Sequence, residues 1–574
     1  MKRMVLDIET DGLTPTVVWC AVFTDVDTNE SISQEMPTRD DIQSVLDTCE
    51  VIIGHNMIGY DQPVLERLLG VDFKGVTVED TLVMSRLLSP SKEGGHSLKA
   101  WGQRLGFPKG DYNDWTKLTP DMVLYCVQDT KVTRKLYLSL VKELKPFGGQ
   151  SVELEYKVQD IVSRQTTTGW LLDVPRAEGL LAELRERQYE LVDTVLEVFR
   201  PLPTFIKEIQ PKINKDGKMS NVGLKFLGDY ACMIDGTFSR VDYPEFNLGS
   251  RPQIAKHLMH YGWKPKKLTP SGKPMVDEEV LRDVIGIPEA VLICEYLMVQ
   301  KRIAQVSSWV AAVGDDGRVH GYVNAIGAIT NRMTHSSPNM AQVPASDSPY
   351  GTECRACWIV PEGFKLVGWD ASGLELRMLA HYMNDIDYTN ELLGGDIHTA
   401  NMKAAGLKQR ADAKTFIYAY LYGAGDAKIG SIVGGGKKEG ARLKKKFLAN
   451  TPPLAELRKK VEEASKKGYI RGIDGRRVQI RSAHAALNTL LQSAGAIVMK
   501  KALVLLDEYA RLHGITYNFI GNIHDEVQTE VRADQAHQFG RLAVQCMVAA
   551  GEQLQFRCPL DAEYKVGVNW AETH

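Results

Sequence analysis

Arg410, Lys414, Tyr418 and Tyr422 recur at every fourth position through Arg410-Ala-Asp-Ala-Lys-Thr-Phe-Ile-Tyr-Ala-Tyr-Leu-Tyr-Gly423. A helix lines such a set along one slowly drifting stripe. Two cations followed by two aromatics can grip a polyphosphate at one end and stack on a base or sugar at the other. Alone, the pattern also describes a solvated basic turn followed by a buried aromatic one. Its companions argue against that: Trp369-Asp370 ends a strand upstream, and His524-Asp525-Glu526 forms a turn downstream.

Asp370 closes the apolar run from Phe364, which reads as a strand, and Ser372 to His381 reads as a helix capped by Ser372. Asp525 lies between two β-rich runs, Ile515 to Ile523 and Val527 to Val531, so His524-Asp525 reads as a hairpin tip. Either aspartate alone is more often a turn former. Two on adjacent strand ends, with a cationic helix nearby, form a two-metal phosphoryl-transfer site. There the metals activate a 3′ hydroxyl and neutralise the leaving pyrophosphate, while Arg410 and Lys414 hold a triphosphate.

The N-terminal region suggests a second chemistry. Val5-Leu-Asp7-Ile-Glu9-Thr10 is an apolar strand interrupted by acids at alternate positions, so both carboxylates share a face. A buried like-charged pair is costly without a cation. Val51 to Asn56 reads as another strand, with Asp61 near the helix start that follows. Thr119-Pro120-Asp121 opens a helix with cap, proline and first-turn acid in favoured places. Tyr125 and Asp129, four apart, share a face of it. Ordinary surface acids and a core tyrosine would leave the acids inside a hydrophobic strand unexplained.

At 574 residues the chain should hold several domains. Its 44% hydrophobic and 25% charged content is that of a soluble globular protein. The net charge of −3 gives no hint of nucleic acid, but Lys437 to Arg481 holds 15 basic against 5 acidic residues, an imbalance that favours phosphate contacts. Nine scattered cysteines read as reduced thiols, with Cys354 and Cys357 lacking a second pair to complete a zinc site. Gly434-Gly-Gly-Lys437-Lys438 fails as a phosphate-binding loop, because Ser431 and Lys438 stand where a glycine and a Ser/Thr belong. No signal core precedes the acid strand and no run reads as a membrane span, so the expected location is the cytoplasm, that of the host cell if phage-encoded.

The strings Asp370-Ala-Ser-Gly-Leu-Glu-Leu-Arg377, Gly395-Asp-Ile-His398-Thr, Ala485-Ala-Leu-Asn488-Thr-Leu-Leu-Gln492-Ser and His524-Asp-Glu526, with the Arg410–Gly423 helix, resemble family A DNA polymerases, most closely the replicative branch of T-seven-like phages. The likeness runs in order from about Gly321 to the C-terminus. It implies that Asp370, Asp525 and the Ala371 carbonyl bind metal, with Glu526 in support. It implies phosphate contacts for His398, Arg410 and Lys414, a place near the sugar and base for Tyr418, and one at the templating base for Tyr422. Glu375 would close off the 2′ position, its carboxylate held by a neighbour such as Tyr418. Arg332, Asn488, Gln492 and His524 would touch primer-template DNA. The usual Thr-Gly-Arg is Thr330-Asn331-Arg332 here, which puts the local turn in question but not the arginine.

Asp7, Glu9, Asp61 and Asp129, with Tyr125, resemble the carboxylate set of proofreading 3′→5′ exonucleases. This implies metal-dependent hydrolysis of the terminal phosphodiester, with Tyr125 orienting the water. The acid strand lies so near the first residue that no upstream 5′-nuclease domain is expected, which suits a replicative enzyme. The fold class expected is multidomain α/β: an RNase H-like exonuclease domain over residues 1–148 and a right-hand polymerase domain over 149–574. The latter would divide into thumb (about 151–320), palm (about 321–395 and 483–574) and fingers (about 396–482), with long thumb helices from Arg176 to Phe199 and from Pro288 to Val313.

The cofactors implied are two Mg²⁺ at each site, with dNTPs as substrates. The partners implied are primer-template DNA, a replicative helicase and a single-strand-binding protein, with no membrane. Some phage members carry a thumb insertion that binds host thioredoxin. The matching stretch, Pro201 to Asn247, is shorter and has no motif to carry over, so thioredoxin and another processivity factor stand as alternatives. A nuclease whose C-terminal half only grips DNA competes with the polymerase reading, and intact Asp370 and Asp525 argue against it. A non-catalytic scaffold would leave both acid clusters without purpose.

Overall fold

The acid-bearing strand spans Arg3–Thr10 and occupies the middle of a five-stranded sheet in the computed structural model, which describes residues 2–210, 212–220, 237–284 and 286–574. Val18–Asp25 pairs antiparallel on one side and Val51–Gly54 parallel on the other, with Ser31–Glu35 and Thr77–Asp80 at the edges. The helix Pro120–Leu144 packs across this sheet, and its cap is the expected one: the Thr119 hydroxyl accepts from the Met122 N–H at 3.1 Å.

The second sheet is wholly antiparallel, in the order Tyr517–Ile523, Glu526–Arg532, Phe364–Ala371, Ala562–Gly567. The helix Ala536–Gln553 covers its back and packs in turn on Ala486–Leu512. The stretch Ala483–Leu512 is long and apolar enough to cross a membrane, contrary to expectation, but 89% of its most apolar window is buried, the condition of a core helix. A smaller sheet joins Trp358–Ile359, Trp170–Leu172 and Arg318–Val319.

Two compact units result, one formed by Met1–Asp173 with Ala312–His574, the other by Val174–Ala311. In the second, the helices Val174–Val198 and Ala290–Ala311 pack together, bridged by Arg187 to Glu295 at 2.8 Å. It also carries the ribbon Thr204–Ile209 with Phe238–Asp242 and the helix Arg251–His260. Of Pro201 to Asn247, residues 211 and 221–236 lie outside the described residues.

Gly149–Thr168, a helix of the first unit, lies on the Tyr517–Ile523 strand and the Ala486–Leu512 helix. Its Glu155 is fully buried and accepts from Lys500 Nζ at 2.7 and 2.8 Å and from Arg476, whose guanidinium also reaches Asp474 at 2.6 Å. Two acids and two bases thus neutralise one another inside the core. Burial is the leading influence on Lys500 and brings its ammonium down to about 8.

Candidate active sites

Strand pairing sets the first site. Asp370 pairs with Glu526 on one side and Glu563 on the other, and the Ala371 N–H donates to the Asp525 carbonyl at 3.1 Å. Asp525 occupies the expected hairpin turn, where His524 takes a left-handed backbone (φ 61°). Burial, then the charges of Asp525 and Glu526, push Asp370 up to about 7. Asp525 is raised by burial and by Glu375. Carboxylates so crowded form a donor set suited to a multivalent cation.

Glu526 is already engaged. Trp570 Nε1 and Gln528 Nε2 donate to it, His574 Nδ1 lies 2.8 Å from it and Arg355 3.6 Å. These contacts, with His574 foremost, overcome its burial and hold it below its ordinary value.

The stripe folds as expected. In the helix Arg410–Leu421, Ala413, Phe416, Ile417, Tyr420 and Leu421 are buried, which leaves Arg410 and Lys414 exposed, Tyr418 half-buried, and Tyr422 exposed at the end. Asp396 caps the helix Ile397–Ala405 through the His398 and Thr399 N–H groups and also binds Arg410 Nε at 2.7 Å. His398 is held below its ordinary value by burial and then by Arg410 and Lys414, which gathers all three phosphate candidates at one end. At the other end the Tyr422 hydroxyl donates to Glu375 at 2.9 Å, and Arg332 lies 3.6 Å from the same oxygen. Tyr422, not Tyr418, therefore holds Glu375; the helix turn carries the residue four positions on towards that acid.

Asn331 adopts φ 60°, which asparagine tolerates, so the turn before Arg332 forms without its usual glycine. Arg332 and His524 line one small cavity. Asn488 and Gln492 sit half-buried, four apart, on the long helix. Ser372 is not the cap of its helix: Gly373 takes that position at φ 61°, and the Ser372 carbonyl accepts from Arg377 Nε at 2.7 Å.

The second site brings its four expected acids together, with Tyr125 near enough for the charges of Asp129 and Glu9 to act on its phenol. Ligand atoms of Asp7, Glu9 and Cys126 lie within 4.8 Å of one another, and Asp61 accepts from the Ile8 N–H at 3.2 Å. Asp129 Oδ2 is bonded to Lys109, while its Oδ1 is buried and has no partner among the described residues. Burial comes first in every shift: Asp7 rises to about 7 with Asp129 adding to it, Glu9 to about 10 with Asp7, and Asp129 to about 6 against the pull of Lys109. Asp61 is raised by burial and Asp7. An orphaned carboxylate oxygen beside three crowded acids fits a divalent ion.

Sequence reasoning missed Lys109, Cys126, Arg355, Trp570 and His574: none stands in a string that resembles the family, and Arg355 lay between the two cysteines rejected as a zinc pair. Asp396 stood inside one, just before a helix start, and its capping position could have marked it.

DNA polymerase family A is matched over residues 225–572. The DNA-directed DNA polymerases of Escherichia phage T7 and Enterobacteria phage T3 are each 35% identical over 706 aligned positions, covering 100% of this chain and of each relative. The thermostable DNA polymerase I of Thermus aquaticus is 27% identical over 69% of this chain and 50% of its own length. A solved structure described as the POL domain of Pol1 from M. smegmatis, in complex with DNA primer-template and dNTP, is similar in fold. Its TM-score is 0.79 at 18% identity, with 99% of this chain and 95% of that one covered.

Proposed function

The chain belongs to DNA polymerase family A, whose members are DNA-directed DNA polymerases using divalent metal ions, and from that premise we propose an enzyme with two separate active sites. One extends a primer 3′ end with dNTPs at the Asp370–Asp525 cleft. The other removes misplaced 3′ nucleotides at the Asp7–Glu9 cleft. The observation that carries the first is the meeting of the stripe helix with the carboxylate hairpin: Tyr422 is bonded to Glu375, and Glu375 and Asp525 both act on the half-buried Tyr418 phenol.

Asp370 and Asp525, with the Ala371 carbonyl, would hold two Mg²⁺. Bound there, the ions supply Lewis acidity for the 3′ hydroxyl and charge neutralisation for the pyrophosphate. The remaining work falls to this chain's own groups. Arg410, Lys414 and neutral His398 hold the triphosphate, and Asp396 fixes Arg410 through Nε while its two terminal amines, unbonded among the described residues, can make a forked contact. Tyr418 stacks by the sugar and base, Tyr422 closes the stripe at the template, and Glu375 fills the 2′ space. Arg332, Asn488, Gln492 and His524 contact primer-template DNA.

At the second cleft Asp7, Glu9, Asp61 and Asp129 would hold two Mg²⁺, which supply a water made nucleophilic, and Tyr125 orients that water. In this reading residues 1–148 are the exonuclease and Val174–Ala311 the body of the thumb, with palm and fingers as the sequence suggested. The setting is phage DNA replication in the host cytoplasm, beside a helicase, a single-strand-binding protein and thioredoxin or another processivity factor.

The test is to separate the sites. Asp525→Ala should lower primer extension by orders of magnitude while single-strand degradation persists, and Asp7→Ala should do the reverse. Loss of extension in a folded Asp7→Ala protein would overturn the assignment of two sites.

A further inference from the structure

Lys109 lies on the loop between the helices Leu98–Arg104 and Pro120–Leu144. The loop is seated, not free. Gln128 Nε2 donates to the Pro108 carbonyl at 2.8 Å, the Phe107 N–H donates to the Gly102 carbonyl at 2.9 Å, and Tyr112 and Trp115 pack on the Tyr125 ring at 5.7 and 5.9 Å. Gly110 lies so close to that ring that an added Cβ would sit 3.2 Å from it. From this support the Lys109 ammonium reaches Asp129 Oδ2 and stands 4.6 Å above the Tyr125 ring.

Asp129 is 2% exposed, and its two oxygens have different surroundings: Oδ2 is bonded to Lys109, and Oδ1 is buried with no partner among the described residues. A carboxylate fixed by one oxygen keeps the other in a constant direction. Partners behind a ligand orient it in this way, and losing one typically costs about 10–100-fold in metal affinity or activity.

Building on the exonuclease reading, we propose that Lys109 is a positioning residue of that site. It holds Asp129 by Oδ2 so that Oδ1 is presented to a divalent cation, and it fixes the ring face of the water-orienting Tyr125. An alternative role, a lysine that competes with the cation for Asp129, predicts the opposite change in affinity.

Mn²⁺ binding, followed by electron paramagnetic resonance of the free ion, decides between them in the full chain carrying Asp370→Ala and Asp525→Ala to silence the other site. Lys109→Met should weaken binding about 10–100-fold, and Lys109→Arg should restore most of it. Lys109→Gln gives a second reading should the methionine variant fold poorly. With Asp370 and Asp525 restored, primer extension by Lys109→Met should match the parent, a result that general destabilisation would not give. Unchanged or tighter Mn²⁺ binding in Lys109→Met and Lys109→Gln would overturn the proposal for Lys109 alone. If Asp129→Ala also left Mn²⁺ binding unchanged, the exonuclease reading would fall with it.

Discussion

Replacing Glu155 by glutamine should expose how much the first unit depends on its buried charges. Glu155 is fully buried and is the acceptor for both Lys500 contacts, whereas Arg476 keeps Asp474. The variant therefore strands one ammonium in the core. Breaking a buried pair this way costs about 3–5 kcal/mol. A ceiling comes from the lysine itself: surrendering its proton at pH 7 against an unfolded value near 10.4 costs roughly 4–5 kcal/mol at 1.36 kcal/mol per unit.

Lys500, already lowered to about 8, would then be neutral when folded and charged when unfolded. The unfolded state binds the extra proton, so the variant gains stability as pH rises from 7 towards 10, by up to about 1.4 kcal/mol per unit. The assay is thermal unfolding at pH 7, 8 and 9, with hydrogen exchange on peptides from Gly149–Thr168 and Ala486–Leu512 to locate the loss, since two units preclude a single two-state analysis. At roughly 2.1 cal/mol/K per residue, melting of the whole first unit would turn the loss into a Tm drop of about 4 °C. Adding Lys500→Met should recover most of it. A Tm within about 1 °C of the parent and no dependence on pH would refute the reasoning.

Tyr418→Phe should discriminate against dideoxynucleotides at least roughly tenfold more than the parent, because the missing 3′ hydroxyl then leaves a buried polar group unpaired at about 1–3 kcal/mol; equal kcat/KM ratios in the two proteins would place Tyr418 away from the sugar. Glu375→Ala should raise ribonucleotide incorporation, and Tyr422→Phe, which removes the 2.9 Å bond holding Glu375, should do so more weakly; unchanged selectivity in competition counts against the place given to Glu375 at the 2′ position. Because burial raises Asp7 to about 7 and Asp129 to about 6, the unfolded carboxyls ionise first, and stability in chelator should fall as pH climbs from about 4 through 7. Mg²⁺ should then release protons on binding near pH 6.5, read by calorimetry in two buffers of different ionisation heat; an absence of release would show those acids already ionised.

Local pattern made most of the first site legible. The four-residue period of Arg410 to Tyr422 defined the helix and its faces, and turn chemistry placed Asp525 between strands. What could not be read was long-range register. That Glu375 meets Tyr422 depends on how two helices approach, and that Glu526 is bound by Trp570 and His574 depends on the course of the chain after its last strand. Ser372 misled because a cap is inferred from residue type, whereas Gly373 supplied a backbone angle open to glycine. Lys109 left no trace, since an isolated lysine in a loop has no period, and its meaning lies wholly in a carboxylate 20 residues away.

The strands on either side of the helical unit pair with each other, Trp170 opposite Val319 and Leu171 opposite Arg318. Neighbouring strands lie about 4.8 Å apart. In topological terms Val174–Ala311 is therefore the loop of a hairpin whose stem belongs to the other unit. Closing a longer or shorter loop on such a stem changes the entropy of folding only logarithmically. A change in the length of this segment therefore leaves the course of the strand that bears Asp370 unaltered, which makes the helical unit a detachable appendage of the hairpin and the sheet its fixed frame.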